Sequence, residues 1–205
     1  MIKGSLYILL IPLVFLSCKE ESKLPVWGQK EFIEGIDTDT IYHTLSYWNF
    51  TNQDGELISK GDYEGKVYVA NFFFTRCPGI CPVLTKNLRQ VQAETKGLNV
   101  SFLSHTVDPK NDTVGRLKWY CESKQLDNSN WDFVTGEQKA IYEMGVLSYL
   151  VPNSENALAP GGFLHSDKFI LIDTKSRIRG MYSGTDSTEV NKLIIDINKL
   201  LVEDE

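Results

Sequence analysis

The chain lacks long apolar runs and any surplus of positive charge, and it is sparing with cysteine and histidine. Its apolar stretch near the N-terminus, Leu6 to Leu16, spans eleven residues, whereas a helix needs about 20 to cross a bilayer. With Lys3 as a positive flank, this stretch reads as the h-region of a signal peptide covering residues 1–17. Lys and Arg number 21 against 27 Asp and Glu, a net charge of -6. Removing residues 1–17 takes away Lys3 alone, so 20 minus 27 leaves -7. An acidic chain with no basic stripe has no electrostatic footprint for phosphates, which excludes nucleic acid as the expected partner. Internal repeats and low-complexity segments are also missing. The 205 residues, 42% hydrophobic and 23% charged, suit one domain with a sizeable core.

What is present centres on Lys66 to Leu88, KVYVANFFFTRCPGICPVLTKNL. Val67 to Phe74 is apolar except for Asn71 and rich in β-branched and aromatic residues, which predicts a central strand buried on both faces. Pro78 fits the first turn of a following helix that carries Cys81, Leu84 and Leu88 at helical spacing. Cys77 then lies at or just before a helix N-terminus. Backbone N–H groups and the helix dipole favour thiolate there, the form that attacks disulfides or binds soft metals. On a helix, positions i and i+4 share a face, so both sulfurs of this C-x-x-x-C pair can point at one atom. A four-residue loop removes little unfolded-state entropy, so a structural disulfide explains the pair less well than chemistry does. Two thiolates leave a copper ion short of a ligand, and an imidazole from elsewhere would complete the site.

CPGICP after an apolar strand, DPKND about thirty residues on, and GGFLHSDKFILID near the C-terminus resemble the SCO/SenC family of copper-binding thioredoxin-like proteins, from roughly Thr40 to the end. The resemblance implies an α/β, thioredoxin-like fold. It also implies one copper ion held by Cys77, Cys81 and His165, and a role in assembling the dinuclear copper centre of cytochrome c oxidase. The implied partners are the copper-binding subunit of that oxidase and other copper carriers or thiol reductants. Asp108 matches an acidic position near the metal in the family, there to steady a ligand or carry partner contacts.

Along the rest of the chain, Phe15-Leu16-Ser17-Cys18 resembles a bacterial lipobox, in which Cys18 becomes the lipidated first residue. This implies a domain outside the cytoplasm, in the cell envelope, anchored to a membrane by lipid. Residues 18–39 read as a polar tether, although Leu24, Val26, Trp27, Phe32 and Ile33 give it apolar groups able to pack on the domain. The domain proper is expected over residues 40–205. His43 to Phe50 and Glu56 to Ser59 read as a hairpin around a turn at Asn52 to Gly55. Val100 to Val107 reads as a strand, Thr113 to Lys124 as a helix capped by Asp112, Trp131 to Val134 as a strand and Glu137 to Leu147 as a helix. Lys168 to Asp173 and Arg179 to Tyr182 form a second hairpin, and a last helix starts at Asp186. These elements predict a central mixed sheet flanked by helices, with an N-terminal β-hairpin. The tail Glu203 to Glu205 reads as a solvated end.

Cys121 falls in step with Val114 and Leu117 on the apolar face of its helix, as a buried small hydrophobe does. His105 lies near the end of its strand, where it can stand beside the ligands or simply complete the sheet end. His43 is far from any motif. Two functions remain open, a copper metallochaperone and a thiol-disulfide oxidoreductase using Cys77 and Cys81 as its redox pair. A peroxidase, for which Arg76 beside Cys77 offers a hint, finds no use for Cys81 or His165. The imidazole discriminates, because dithiol exchange needs none whereas a trigonal copper site does.

Overall fold

The computed structural model describes residues 23–32 and 40–203, so the expected signal peptide, Cys18 and much of the expected tether lie outside the described residues. The core is a five-stranded sheet in the order β11-β10-β5-β6-β7. Its centre is β5 (Val67–Phe73), in which every residue is buried, as a strand covered on both faces must be. Strands β6 (Val100–Thr106) and β7 (Trp131–Val134) run parallel to β5, while β10 (Lys168–Ile172) is antiparallel to both β5 and β11 (Ile178–Ser183).

Side chains alternate across β5. Phe73 packs against Tyr120 of α3 (Val114–Lys124) and edge-on against Phe133, whereas Phe72 meets His105 and Tyr149 on the opposite face. Asn71 is the one polar residue in the run, and it accepts from Ser104 at 2.6 Å, which in turn accepts from the Trp131 indole at 2.9 Å. Its burial is therefore matched by partners. Helices α2 (Cys81–Glu94) and α5 (Ser187–Glu203) pack on each other, and α5 buries Val190, Leu193, Ile197 and Leu200.

The N-terminal hairpin is present as β3 (Asn49–Thr51) and β4 (Leu57–Ser59), with the Asn52 side chain accepting from the N–H groups of Asp54 and Glu56 in the turn. It is shorter than His43 to Phe50 predicts. Ahead of it, β2 (Thr40–Tyr42) pairs with β1 (Lys30–Phe32), and a single turn of helix, α1 (Lys60–Tyr63), follows it. The helix expected over Glu137 to Leu147 starts as α4 (Gln138–Glu143) and widens into a π-turn over Met144–Ser148, where Tyr149 N–H reaches Met144 O at 2.9 Å. Asn153 fills the space beside Gly145, and a Cβ there would stand 2.1 Å from its amide nitrogen. The remaining short strands, β8 (Asn153–Glu155) and β9 (Phe163–His165), form an antiparallel pair near the site.

Residues 23–32 lie along the domain. Leu24 N–H donates to Glu203 at 2.7 Å and Trp27 N–H to Ile178 O at 2.9 Å. Arg179, 4% exposed, ties this segment down by donating to Leu24 O at 2.7 Å, Pro25 O at 3.2 Å, Asp173 at 3.3 Å and Glu203 at 2.5 Å. Glu203 is thus part of a buried network rather than the solvated end its position suggests. Breaking such a network leaves an uncompensated charge behind. Replacing Arg179 by Met is expected to lower the unfolding free energy by about 3 kcal/mol in urea titrations and to release the Leu24 amide to hydrogen exchange. An unchanged midpoint would mean that the network contributes nothing.

Candidate metal centre

The end of β5 runs into a turn at Thr75 and Arg76, closed by Cys77 N–H on Phe74 O at 3.2 Å, and the chain bends again over residues 78–80. The spacing predicts Pro78 in the first helical turn and both cysteines on one helical face. Instead α2 begins at Cys81, with Ile80 as N-cap and Pro82 in the first turn. Pro82 dictates this start. Were Pro78 the first helical residue, Pro82 would sit in the helix interior, short of an N–H and with its ring against the Pro78 carbonyl. Only Cys81 is therefore helical, and Cys77 approaches it from the preceding turn.

The two thiols differ in setting. Cys81 is 1% exposed and Cys77 is half-buried, and both are unoxidised. The hydrogen bond from Cys81 holds the Cys77 thiol down to about 4, against the opposing effect of burial, while the same bond and burial push Cys81 well up. The proton of the pair belongs to Cys81 and the thiolate to Cys77.

His165 arrives at the end of β9, which directly follows the Gly161-Gly162 pair. Its Nε2 lies 3.3 Å from Cys81 Sγ and 3.9 Å from Cys77 Sγ, and Nδ1–H donates to Ser166 O at 3.2 Å. A carbonyl can only accept, so Nδ1 carries a proton, and Nε2 is the nitrogen that faces the sulfurs. The Phe74 ring meets the imidazole edge-on at 5.6 Å. Gly161, at φ +76°, brings the preceding chain close against the site; a Cβ there would stand 2.7 Å from the Phe74 ring and 3.2 Å from Pro78 Cδ. One ligand atom from each of Cys77, Cys81 and His165 lies within 4.8 Å of the others. Two sulfurs and an imidazole nitrogen, converging with one thiol partly open to solvent, form a donor set suited to a soft ion such as copper.

The acidic motif braces the turn. Asp108, 2% exposed, accepts from Arg76 at 2.8 Å and from Asn111 at 2.8 and 3.0 Å, so it acts on the residue next to Cys77. Asp112 does not cap α3. Thr113 does so by accepting from Arg116 N–H, while the Asp112 carboxylate accepts from Thr75 N–H at 3.0 Å, Thr75 Oγ1 at 2.5 Å and Thr106 Oγ1 at 2.5 Å. These threonines and Gly161 are the site residues that motif reading passes over. The signal for the first two is a hydroxyl at the end of each of two apolar strands.

The other candidates lie elsewhere. His105 is enclosed by the rings of Trp48, Phe50, Phe72 and Tyr149 and bonds Tyr149 at 3.1 Å; burial pushes its pKa down to about 3, which keeps it neutral. His43 bonds Ser148 O at 2.7 Å. Cys121 is 1% exposed and its thiol is pushed up to about 12 by burial, an inert core position. Among the described residues no helix is long and apolar enough to cross a membrane.

Comparison with known proteins follows the same lines. The SCO1/SenC family model matches residues 37–201. The SCO1 protein homolog of Bacillus subtilis is 30% identical over 166 residues, covering 78% of this chain and 83% of that protein. Among solved structures, a SCO1/SenC family lipoprotein from Bacillus anthracis superposes with a TM-score of 0.72 at 33% identity, over 77% of this chain and 95% of that one. The structure of BsSco, described as a member of the Sco family of cytochrome c oxidase assembly proteins and as carrying a disulfide switch, gives 0.70 at 29% identity, over 78% and 94%. With the mixed five-stranded sheet, these likenesses bear out the expected thioredoxin-like plan.

The asymmetry of the thiols predicts selective alkylation of the reduced, metal-free protein. Iodoacetamide should modify Cys77 and spare Cys81 and Cys121, at a rate that stays level below neutrality and falls only as pH drops through about 4. The sign follows from a depressed thiol, which is thiolate at every pH above its own value. A Cys77 rate that rises only through about 8.5, as for a free thiol, would contradict the arrangement; peptide mass mapping across pH decides.

Proposed function

The chain belongs to the SCO1/SenC family, and from that premise we propose that it is a copper metallochaperone that serves the copper-binding subunit of a haem-copper oxidase. The observation that carries this reading is the convergence of Cys77, Cys81 and His165, with their ligand atoms within 4.8 Å of one another. Each residue has a distinct task. Cys77 supplies a thiolate at neutral pH, Cys81 a second sulfur that yields its proton on binding, and His165 its Nε2, oriented by the Nδ1 bond to Ser166 O. The buried Phe74 ring gives the site an apolar wall on the side of His165. Transfer to the client proceeds by exchange of ligands, with the nitrogen the weakest and first to leave and Cys77, the exposed sulfur, the last to let go. Cys18 carries the lipid that holds the domain at a membrane of the cell envelope.

A second reading rests on a specific observation. A half-buried thiolate paired with a fully buried protonated thiol is also the layout of a dithiol reductase. Cys77 attacks a client disulfide, one client thiolate leaves, and Cys81, once deprotonated, displaces the second as the Cys77–Cys81 disulfide forms. That role consumes two electrons, which a thiol reductant must restore, and it leaves His165 idle.

His165→Ala separates the two. Both thiols, the turn and the apolar wall remain, so exchange with a small disulfide should keep nearly its original rate. Cu(I) affinity, read by competition with a chromophoric chelator, should fall by at least about 10-fold, because lost metal-supporting contacts alone cost 10- to 100-fold. Oxidase activity in cells carrying only this variant should drop and recover in part with added copper. Full activity at limiting copper would leave the reductase as the better account.

A further inference from the structure

No run of the sequence is basic, yet the fold assembles a basic cleft. Lys86 and Arg89 on α2 face Lys124 on α3 across a cleft of about 140 Å³, floored by Tyr120 and Leu126 and opening at Pro82, next to Cys81. A hydrogen bond of 2.9 Å between Thr85 and Tyr120 joins the two helices beneath it, and Arg89 reaches Lys124 O at 3.4 Å. Arg116, its guanidinium 4.1 Å from the Trp119 ring, lies two helical turns before Lys124 and extends the charge toward Thr75. No carboxylate lines the cleft, and among the described residues none of these four cations joins an ion pair. At the cysteine end, Ile80 and Val83 are 36% and 43% exposed.

We propose that this cleft docks an acidic surface of the client protein and orients it over Cys77. The proposal rests on the copper-delivery reading and deepens it by naming the chemistry of the partner's face. Charge complementarity identifies that chemistry. A chain of net charge -7 once residues 1–17 are removed repels an acidic partner over most of its surface, so the three cations of a cleft that reaches Pro82, the neighbour of Cys81, give such a partner a favoured approach near the thiols. The exposed Ile80 and Val83 then lie inside the contact, where apolar groups near the centre contribute affinity.

The test uses the purified soluble copper-binding domain of the oxidase subunit from the same organism as titrant, followed by calorimetry at low and high salt. Wild-type affinity should fall as salt rises. The triple reversal Lys86→Glu, Arg89→Glu, Lys124→Glu should weaken it by at least about 10-fold. A matched reversal at the opposite end of the sheet, Lys66→Glu, Lys96→Glu, Lys175→Glu, should leave it within about twofold. Equal loss in both triples, salt-independent binding, or no association of the wild-type domain would overturn the proposal. So would wild-type binding to phosphatidylglycerol vesicles that the cleft triple abolishes, which would assign the cleft to a lipid surface. Cu(I) stoichiometry is measured on every variant in parallel. One equivalent throughout keeps the copper reading standing whatever the docking result, whereas its absence in the wild-type protein strikes that reading instead.

Discussion

The site depends on a carboxylate that touches none of its ligands. Asp112 is buried and holds Thr75 through both its N–H and hydroxyl, and Thr106 through its hydroxyl. These bonds fasten the end of β5 to the end of β6 at the point where the chain turns toward Cys77. A buried carboxylate is costly unless its lone pairs are filled, and here three donors fill them while Arg116 supplies positive charge through Thr75 at 3.0 Å. The strand end, and hence the origin of the Cys77 turn, has one position rather than several. The Arg76–Asp108 pair repeats the arrangement one residue on, its carboxylate buried and its guanidinium half in water.

Much of this was legible in the sequence where one physical preference acts alone. The all-apolar, β-branched run of β5 admits only a doubly covered strand, and the spacing of Leu84 and Leu88 on α2 or of Val190, Leu193 and Ile197 on α5 admits only a helix with one face inward. The convergence of His165 on the cysteines was legible only through the family motif, since nothing local links residues 84 positions apart. Legibility failed where two local rules compete. Pro78 and Pro82 each suit a first helical turn, and only the clash of a proline ring with the carbonyl four residues back selects the second. Asp112 and Thr113 each suit an N-cap, and the tertiary demand of Thr75 and Thr106 takes the aspartate. Glu203 looks like solvated tail until Arg179, 24 residues earlier, is placed beside it.

The consequence of the late helix start is chemical. The pair is split between two kinds of backbone. With Cys77 in the turn and Cys81 as the first helical residue, one sulfur is open and charged while the other is buried and protonated. The same asymmetry suits metal capture and disulfide exchange, so the cysteines alone do not choose between them. The third group, held 3.3 Å from the buried sulfur by the β8–β9 pair, has a use in metal binding and none in exchange chemistry.

That strand pair also sets how firmly a metal could be kept. His165 belongs to a two-stranded ribbon, a class of element that is marginal by itself. Its contact with the rest of the site runs through Gly161, whose bare backbone lies against Phe74 and Pro78, and through the ring of Phe74. The sulfurs, by contrast, are carried on the central strand's own turn and on a 14-residue helix. Local opening free energy follows the density of buried contacts, so the nitrogen is mounted on the least stable of the three supports. A carrier must hold its cargo against water yet surrender it to a partner. In the proposed carrier role, two firmly mounted ligands and one on a marginal ribbon suit both demands, since the ribbon is the support whose opening costs least.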